Sequence, residues 1–531
     1  MRYFNTAGPV RCDEHYCLDP LKRFDLEEVL MLIEQKKYFV LHAPRQTGKT
    51  SCLLALQEYL NKEGKYKSLY VNVEAAQGAR ENVYRGMRAI LSTIEIMIEQ
   101  YWGQEIKIKG KEILEENGED AALLKILGYL SKIAKKPVVL MLDEIDSLVG
   151  DTLISVLRQL RSGYTLRPKA FPQSIILCGV RDVRDYRIHS NKEKAIITGG
   201  SAFNIKAKSL HLGDFNKKEI EILYAQHTQE TGQKFEPEAI DYIWELTEGQ
   251  PWLVNALGYV ACFELKEGKD RTNKITKALI SEAKEKIILD RYTHIDQLAD
   301  KLKEERVKRV IEGILSGDMN PEDLPVDDIL YVKDLGLIKN RPSLRIANKI
   351  YQEIIPRELT FGTQVTITHE TWWYVKKDGR LDMDKLLKAF QEFFREHSEI
   401  WLEKFQYKEA GPQLLLQAFL QRIINGGGRI EREYGLGRKR TDLLIMWPVD
   451  TDNLLKAKEV QKIVLELKIL YKSLEKTIEE GLAQTYAYMD RCGTTEGHLI
   501  IFDRRKDIPW DEKIFKQEKK YKGKKIKIWG M

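Results

Sequence analysis

Long apolar runs are missing from this 531-residue sequence. A membrane-spanning helix needs about 20 consecutive apolar residues, and charges interrupt every apolar stretch well before that length, including the amino-terminal MRYFNTAGPVRCDEHY. A strong charge bias is missing too, since 86 basic residues stand against 80 acidic ones. We therefore expect a soluble, cytoplasmic protein with no membrane partner, in which any nucleic-acid binding comes from local patches.

Cysteine is scarce, with six residues and no CxxC pair. This spacing does not match that of zinc-binding cysteines, and it predicts free thiols in a reducing compartment. Because single domains usually hold about 100–200 residues, the length predicts about three to four domains.

The stretch LHAPRQTGKTS lacks the first glycine that phosphate-binding loops usually carry, because Ala43 stands there. A β-rich run precedes it and apolar residues at helical spacing follow, which predicts a strand, a loop and a helix. In such a loop backbone N–H groups face the phosphates, Lys49 adds positive charge, and the Thr50 hydroxyl holds Mg²⁺. The candidate nucleotide-binding residues are Ala43, Pro44, Arg45, Gln46, Thr47, Gly48, Lys49, Thr50 and Ser51.

A second signal is KKPVVLMLDEIDSL, which predicts a buried strand that ends in Asp143 and Glu144. Asp143 is placed to bind Mg²⁺, and Glu144 to orient and polarise an attacking water. The run Ile175 to Gly179 predicts another strand, and Arg181 just after it is a candidate sensor of the γ-phosphate. A solvated basic loop is the alternative interpretation of Arg181.

The segments APRQTGKTS, VVLMLDEID and IILCGVRD together resemble the AAA+-related ATPases, in particular the STAND and archaeal-ATPase group, whose cores are similar to origin-recognition ATPases. The resemblance implies a parallel-sheet P-loop core with a helical lid and ATP as the ligand. In that group a G-x-P segment of the lid lies near the adenine, and Gly249, Gln250 and Pro251 match it here. A helix–turn–helix corner with no ligand role is the alternative.

After the lid, VDDILYVKDLGLIKNRPSLRIANKIY predicts a helix and a strand pair, and looks like a winged-helix domain of the kind appended to this ATPase group. Such a domain either enters a DNA groove or packs on its own ATPase. The segment from Phe361 to Asp382 is predicted to be a β-rich join.

The last third predicts a helix from about Gly411 to Ile424 and several strands. One strand carries Asp442, and the next carries Glu466 and Lys468, which point to the same face because they are two residues apart. Carboxylates and a lysine on adjacent strands are what metal-dependent phosphodiester cleavage requires: Asp442 and Glu466 as Mg²⁺ ligands and Lys468 next to the attacking water.

This order of elements resembles the PD-(D/E)XK nuclease superfamily. Gln484 and Tyr488, four apart on a predicted helix, are similar to the Q-x-x-x-Y element of its RecB-like branch, and Glu409 matches an acidic residue that many members carry. Two departures are Thr441, where the motif has proline, and the hydrophilic stretch between the two strands. A structural Glu–Lys pair or a degenerate nuclease remains the alternative.

The expected fold class is α/β. Residues 1–207 are predicted to form the ATPase core, 208–268 the helical lid, 269–360 the winged-helix domain, 361–408 a connecting segment and 409–531 a restriction-endonuclease-like domain. We expect an ATP-hydrolysing switch that uses Mg²⁺ or Mn²⁺ and controls a DNA nuclease, in defence or mobile-element biology. The alternative is a signalling or DNA-loading ATPase that binds DNA without cutting it. DNA and further copies of the chain, as a dimer or ring, are the expected partners.

Overall fold

The structure is a computed structural model of the whole chain. It describes residues 1–531 except 104–105, 107, 183–186, 191–194, 317–323, 341–342, 367–372, 405–411, 413–414, 418, 421–427, 435–440, 452–453, 455–456, 471–472, 504 and 506–507. For some residues within helices and strands, only the backbone is described: 187–190, 195–197, 199, 293, 316, 360–366, 397–404, 431–434 and 441–442. The chain divides into two compact units, Met1–Ile287 with Asp334–Gly336, and Ile288–Lys333 with Leu337–Met531.

The first unit is built on a parallel sheet. Its described strands are, in chain order, β1 (Tyr3–Phe4), β2 (His15–Tyr16), β3 (Tyr38–His42), β4 (Lys67–Asn72), β5 (Val138–Asp143), β6 (Ser174–Gly179), β7 (Arg187–Ser190), β8 (Ala195–Thr198) and β9 (Lys206–His211). Five of them form the sheet β4-β5-β6-β3-β9, in which every neighbouring pair is parallel. This confirms the predicted α/β fold with a parallel sheet.

Helices cover both faces of this sheet. The helices described up to the end of the unit are α1 (Leu26–Glu34), α2 (Lys49–Glu63), α3 (Val83–Trp102), α4 (Gly110–Asn117), α5 (Ala122–Ile133), α6 (Gly150–Ser162), α7 (Gly199–Ala202), α8 (Lys217–Thr231), α9 (Pro237–Thr247), α10 (Pro251–Tyr259), α11 (Lys266–Lys269) and α12 (Lys277–Leu289). Alternate residues of β5 contact opposite layers: Leu140 and Leu142 pack with α3, α5 and α6, while Val139 and Met141 pack with α1 and α2. Because β5 is buried on both faces, its sequence is continuously apolar.

Two features of the first unit differ from the sequence prediction. Cys12 and Cys17 form a disulfide, with Cα atoms 5.4 Å apart, so the prediction of six free thiols is wrong for this pair. The turn between them brings the two residues together, since the amides of Glu14 and His15 both donate to the Arg11 carbonyl. The antiparallel hairpin β7–β8 was also not foreseen.

The second unit contains the remaining elements. Its described helices are α13 (Thr293–Leu302), α14 (Glu305–Ser316), α15 (Val326–Asp334), α16 (Lys349–Thr366), α17 (Met383–Lys404), α18 (Leu474–Arg491) and α19 (Trp510–Lys513). The last residue of α15, Asp334, is grouped with the first unit. Its strands are β10 (Ile338–Lys339), β11 (Arg345–Ile346), β12 (Arg429–Tyr434), β13 (Thr441–Pro448), β14 (Val460–Ile469), β15 (Glu496–Phe502), β16 (Phe515–Tyr521) and β17 (Lys524–Gly530).

A six-stranded mixed sheet, in the order β12-β13-β14-β15-β17-β16, forms the centre of this unit. Residues of β14 alternate between its two faces: Leu465 and Leu467 pack in the core on the α17 side, and Val464 packs with α18. The predicted strands carrying Asp442 and Glu466, and the helix after them, are confirmed as β13, β14 and α18.

Two predictions for this unit differ from the structure or fall partly outside it. Residues 361–366 continue helix α16, which runs from Lys349 to Thr366, and are not part of a β-rich join. The predicted helix from Gly411 to Ile424 falls mostly outside the described residues, and 412, 415–417 and 419–420 are helical.

Within the described part of the chain, none of the helices is both long and apolar enough to cross a membrane.

The turn before α10 gives a test of this fold. Gly249 has φ +84°, and a Cβ built there would lie 1.8 Å from the Phe215 carbonyl oxygen. We expect Gly249→Ala to lower the free energy of unfolding by about 2–3 kcal/mol, from backbone strain and the clash together. Urea unfolding followed by circular dichroism measures the change.

Gly232→Ala is the matched control, because Gly232 has φ +78° and nothing within 4 Å of the added Cβ. It should cost only about 1 kcal/mol of strain. Equal losses for the two variants would contradict the close approach of Phe215.

Candidate functional site

The loop between β3 and α2 forms a concave site at the carboxyl edge of the parallel sheet. Positive φ occurs at Gln46 (58°) and at Gly48 (95°) and not at Ala43, so the methyl group in place of the usual glycine causes no backbone strain. The Lys49 ammonium is 5% exposed and donates to the carbonyls of Ala43 and Pro44, each at 2.9 Å. The loop therefore wraps around a fixed cation, as phosphate-binding loops do.

The Asp143 carboxylate ties this loop to the sheet. It is 0% exposed, and its Oδ2 accepts hydrogen bonds from the Thr50 hydroxyl at 2.7 Å and from the Tyr70 hydroxyl at 2.9 Å. Its Oδ1 accepts the backbone N–H of Glu144 at 2.9 Å. Burial and the nearby Asp143 charge raise the pKa of Tyr70, so its phenol stays a donor. The structure thus brings Thr50 and Asp143, which the sequence assigned separately to Mg²⁺, into direct contact.

Glu144 follows in a strained conformation. It has φ +57°, in the left-handed region that glutamate rarely adopts. Burial, followed by the charge of Asp146, raises the pKa of its carboxyl group, and Lys49 opposes that shift. A strained, half-buried carboxylate beside a phosphate-binding loop is suited to orient a water molecule.

A cavity of about 130 Å³ opens beside Gly48. Its walls include Gln46, Thr47, Ser51 and, from the start of α10, Pro251. The structure therefore brings the predicted G-x-P segment to the phosphate-binding loop. The Gln250 side chain caps α10 by accepting the Leu253 N–H at 2.6 Å.

No motif in the sequence indicated the amino-terminal wall of this cavity. The segment from Asn5 to Val10 lines it, and the Val10 N–H donates to the Ser51 hydroxyl at 2.9 Å. Arg23 also lines it, and its guanidinium donates to Thr47 O at 3.3 Å and to Gly213 O at 2.6 Å. Burial lowers the pKa of Arg23. An arginine far from the motif in sequence gave no local signal that could have found it.

Arg181, the predicted sensor, lies two residues beyond β6, whose last residue pairs with His42 in the sheet. Its Nε is 3.7 Å from Asp334 Oδ2. Arg45 is exposed at the outer side of the loop.

A second candidate site lies on β13 and β14. The backbone register places Asp442 directly opposite Glu466, and residues directly opposite on paired strands belong to the same face of a sheet. Glu466 is 0% exposed, with Lys468 Nζ 3.1 Å from its Oε1. Apart from this ion pair, neither Glu466 oxygen accepts a hydrogen bond from a described residue. Burying a carboxylate whose oxygens lack hydrogen bonds costs free energy, unless a bound ligand supplies the missing interactions.

Helix α18 covers the Glu466 face of the sheet. The alternation of β14 puts Glu466 on the same side as Val464, which packs with Ile478 and Leu482 of that helix. Tyr488 is buried in the same cluster, and the Gln484 Oε1 is buried without a hydrogen-bond partner among the described atoms. The structure thus gathers Glu466, Lys468, Gln484 and Tyr488 on one side of the sheet.

Two predicted acidic residues cannot be placed in the same detail. Glu409 lies outside the described residues, and the Asp442 side chain is not described. Among the side chains that are described, no group of three or more His, Cys, Asp or Glu is arranged to hold a metal ion.

Removing the Glu144 charge tests the electrostatics of the first site. A carboxyl group with a raised folded pKa contributes stability below the ordinary glutamate pKa, and this contribution is lost as pH rises through the raised value. Glu144→Gln should therefore melt at a higher temperature than the wild type at neutral pH. Below the ordinary glutamate pKa, the two proteins should melt at the same temperature. Thermal melts across pH measure this difference.

Glu63→Gln, which changes an exposed glutamate on α2, is the control. A wild type that is more stable than Glu144→Gln at neutral pH would contradict the desolvation of this carboxylate.

Several solved structures are similar to part of this chain at low sequence identity. Similar solved structures include a Walker-type ATPase of Pyrococcus abyssi, with a TM-score of 0.45, 14% identity, and coverage of 66% of this chain and 99% of that one. Cdc6p from Pyrobaculum aerophilum has a TM-score of 0.36 and 13% identity, covering 64% of this chain and 93% of its own. The RuvB Holliday junction branch migration motor of Thermotoga maritima has a TM-score of 0.32 and 12% identity, covering 62% and 95%.

No curated protein matches the sequence. The family model for an AAA-like domain matches residues 21–353, more than half of the chain, and this range includes the loop, Asp143 and Pro251. This chain belongs to the AAA-like domain family and has a P-loop ATPase core.

Proposed function

We propose that this protein is an ATP-hydrolysing switch that controls a metal-dependent DNA-cutting site in its second unit. Membership of the AAA-like family supports the ATPase half of the proposal. The observation that carries the other half is the Glu466 carboxylate, which is fully buried and, apart from its ion pair with Lys468, accepts no hydrogen bond from the described residues.

The residues of the first site fit a complex of ATP with Mg²⁺. When bound, Mg²⁺ would neutralise phosphate charge and polarise the bond that breaks. Lys49 would contact the β- and γ-phosphates from its position inside the loop. Thr50 would offer a hydroxyl oxygen to the metal while its O–H donates to Asp143, and Glu144 would orient the attacking water.

The neighbouring cavity would hold the base and ribose, with Pro251 on the adenine side. This assignment rests on the fact that Pro251 and Gly48 line the same cavity. Arg181 would sense the γ-phosphate through charged hydrogen bonds, and its ion pair with Asp334 offers a competing partner.

The residues of the second site fit a hard divalent cation, because Mg²⁺ and Mn²⁺ prefer oxygen ligands. Glu466 would bind the ion directly, and Asp442 is the second ligand that the sheet register supplies. Lys468 would hold and activate the water that attacks the phosphodiester. Gln484 and Tyr488 would orient the substrate from α18, and Glu409 would add a further acidic group.

Helix α15 and the antiparallel pair β10–β11 support the winged-helix proposal, since a helix followed by a short hairpin is its minimal pattern. DNA is the partner that both this module and the second site would require. Self-association as a dimer or ring is proposed from the family alone.

Lys49→Ala is expected to abolish nucleotide binding, because the loop then loses its only internal cation. Glu144→Gln should keep nucleotide binding and slow hydrolysis by about 100-fold or more, as expected for loss of a catalytic base. Fluorescent-nucleotide binding and phosphate release measure these effects. Lys62→Ala, on the exposed side of α2, is the matched control. Hydrolysis by Lys49→Ala at the wild-type rate would show that the site is elsewhere.

Glu466→Gln and Lys468→Ala should remove DNA cutting in the presence of Mg²⁺ or Mn²⁺ and ATP. Loss of a metal ligand should exceed the roughly 10–100-fold cost of losing an outer-shell partner. Plasmid cleavage measured with and without ATP tests both variants, and Lys462→Ala, an exposed lysine on the same strand, is the matched control.

Stability separates this role from a structural ion pair. Breaking a buried structural pair typically costs about 3–5 kcal/mol, whereas Glu466→Gln should leave the free energy of unfolding unchanged or higher. A wild type that cuts neither linear, circular nor single-stranded DNA would instead favour an ATPase that binds DNA without cutting it.

A further inference from the structure

Tyr70 is a polar residue in a place that apolar packing alone would not require. It belongs to β4, is 7% exposed, and packs with the core that contains Met141 and Cys178. A phenylalanine would fill this volume equally well. The hydroxyl instead reaches the Asp143 Oδ2 at 2.9 Å.

The hydrogen bond has a defined direction. The Tyr70 hydroxyl donates to Asp143 Oδ2. A phenol has a single proton to donate, so this hydrogen bond uses it, and the carboxylate oxygen is the acceptor. Asn72, which lies opposite Asp143 in the sheet register, has its Oδ1 engaged by the Glu74 N–H at 2.8 Å.

Asp143 Oδ2 consequently receives two hydroxyl protons, one from Tyr70 and one from Thr50 at 2.7 Å. Because the Thr50 O–H points at Asp143, the lone pairs of the Thr50 oxygen remain available to a cation. Partners of this kind behind a metal ligand orient the ligand and tune its affinity.

We propose that Tyr70 is a positioning residue for the metal–nucleotide complex, because it fixes the Asp143 carboxylate that orients the Thr50 ligand. This inference rests on the proposed nucleotide-binding function. Tyr70 itself contacts neither the metal nor the nucleotide in this account.

The test is a Mg²⁺ titration of nucleotide binding, followed by the fluorescence of a labelled ATP analogue, with the full chain and without turnover. Tyr70→Phe should raise the Mg²⁺ concentration at half-effect by about 10-fold, the scale of an outer-shell loss. Binding of the same analogue in EDTA should stay within about 2-fold of wild type, because Lys49 and the loop are unchanged.

Tyr38→Phe is the matched control. Tyr38 is a buried tyrosine of the same sheet whose hydroxyl donates to the Pro172 carbonyl at 3.0 Å, away from Asp143. It should leave the Mg²⁺ titration unchanged. If Tyr70→Phe does not fold, Tyr70→Leu provides the second test, and it should shift the Mg²⁺ midpoint in the same direction, since it also removes the hydroxyl that donates to Asp143.

The outcomes separate the two proposals. If the wild type binds no nucleotide with or without Mg²⁺, the proposed ATP function is wrong. If the wild type binds and responds to Mg²⁺ but Tyr70→Phe, or Tyr70→Leu in its place, has the wild-type midpoint, only the role of Tyr70 is overturned.

Discussion

The hydrogen bonds that the buried Asp143 carboxylate accepts are the interaction on which the first unit depends. An isolated carboxylate inside a protein is too costly to keep, and here Thr50 of α2, Tyr70 of β4 and the Glu144 N–H share its two oxygens. One carboxylate thus joins the helix that follows the loop to two strands of the sheet. The positive φ of Gly48 then lets the chain turn into α2 close to where phosphates would lie.

The buried carboxylate of the second unit lacks the hydrogen bonds that Asp143 accepts in the first. Asp143 is satisfied by protein donors, whereas Glu466 has only the Lys468 ammonium near one oxygen and no hydrogen-bond donor among the described residues. In physical terms, a satisfied carboxylate holds a ligand residue in place, and an unsatisfied one is itself free to be the ligand. This contrast is why we assign Asp143 to orientation of Thr50 and Glu466 to direct metal binding.

Local sequence was enough to predict the features that are local in the fold. The strand–loop–helix around Gly48, Lys49 and Thr50, the strand ending at Asp143 and the pair of strands carrying Asp442 and Glu466 are all present. Two side chains of the first site were missed because their contacts join residues far apart in the chain. Tyr70 reaches Asp143 across 73 positions and Arg23 reaches Gly213 across 190, and tertiary contacts of this kind leave no periodic or motif signal. The Cys12–Cys17 disulfide was missed because the spacing matches no known motif.

We propose that the protein binds divalent cations at two separate sites, one at the nucleotide-binding loop and one on β13 and β14. The most direct test is anomalous diffraction from crystals of the full chain grown with Mn²⁺ and a non-hydrolysable ATP analogue. We expect one manganese ion at Thr50 beside the nucleotide and another at Glu466 and Asp442. Manganese at the nucleotide alone, with the Glu466 carboxylate still paired only to Lys468, would contradict it.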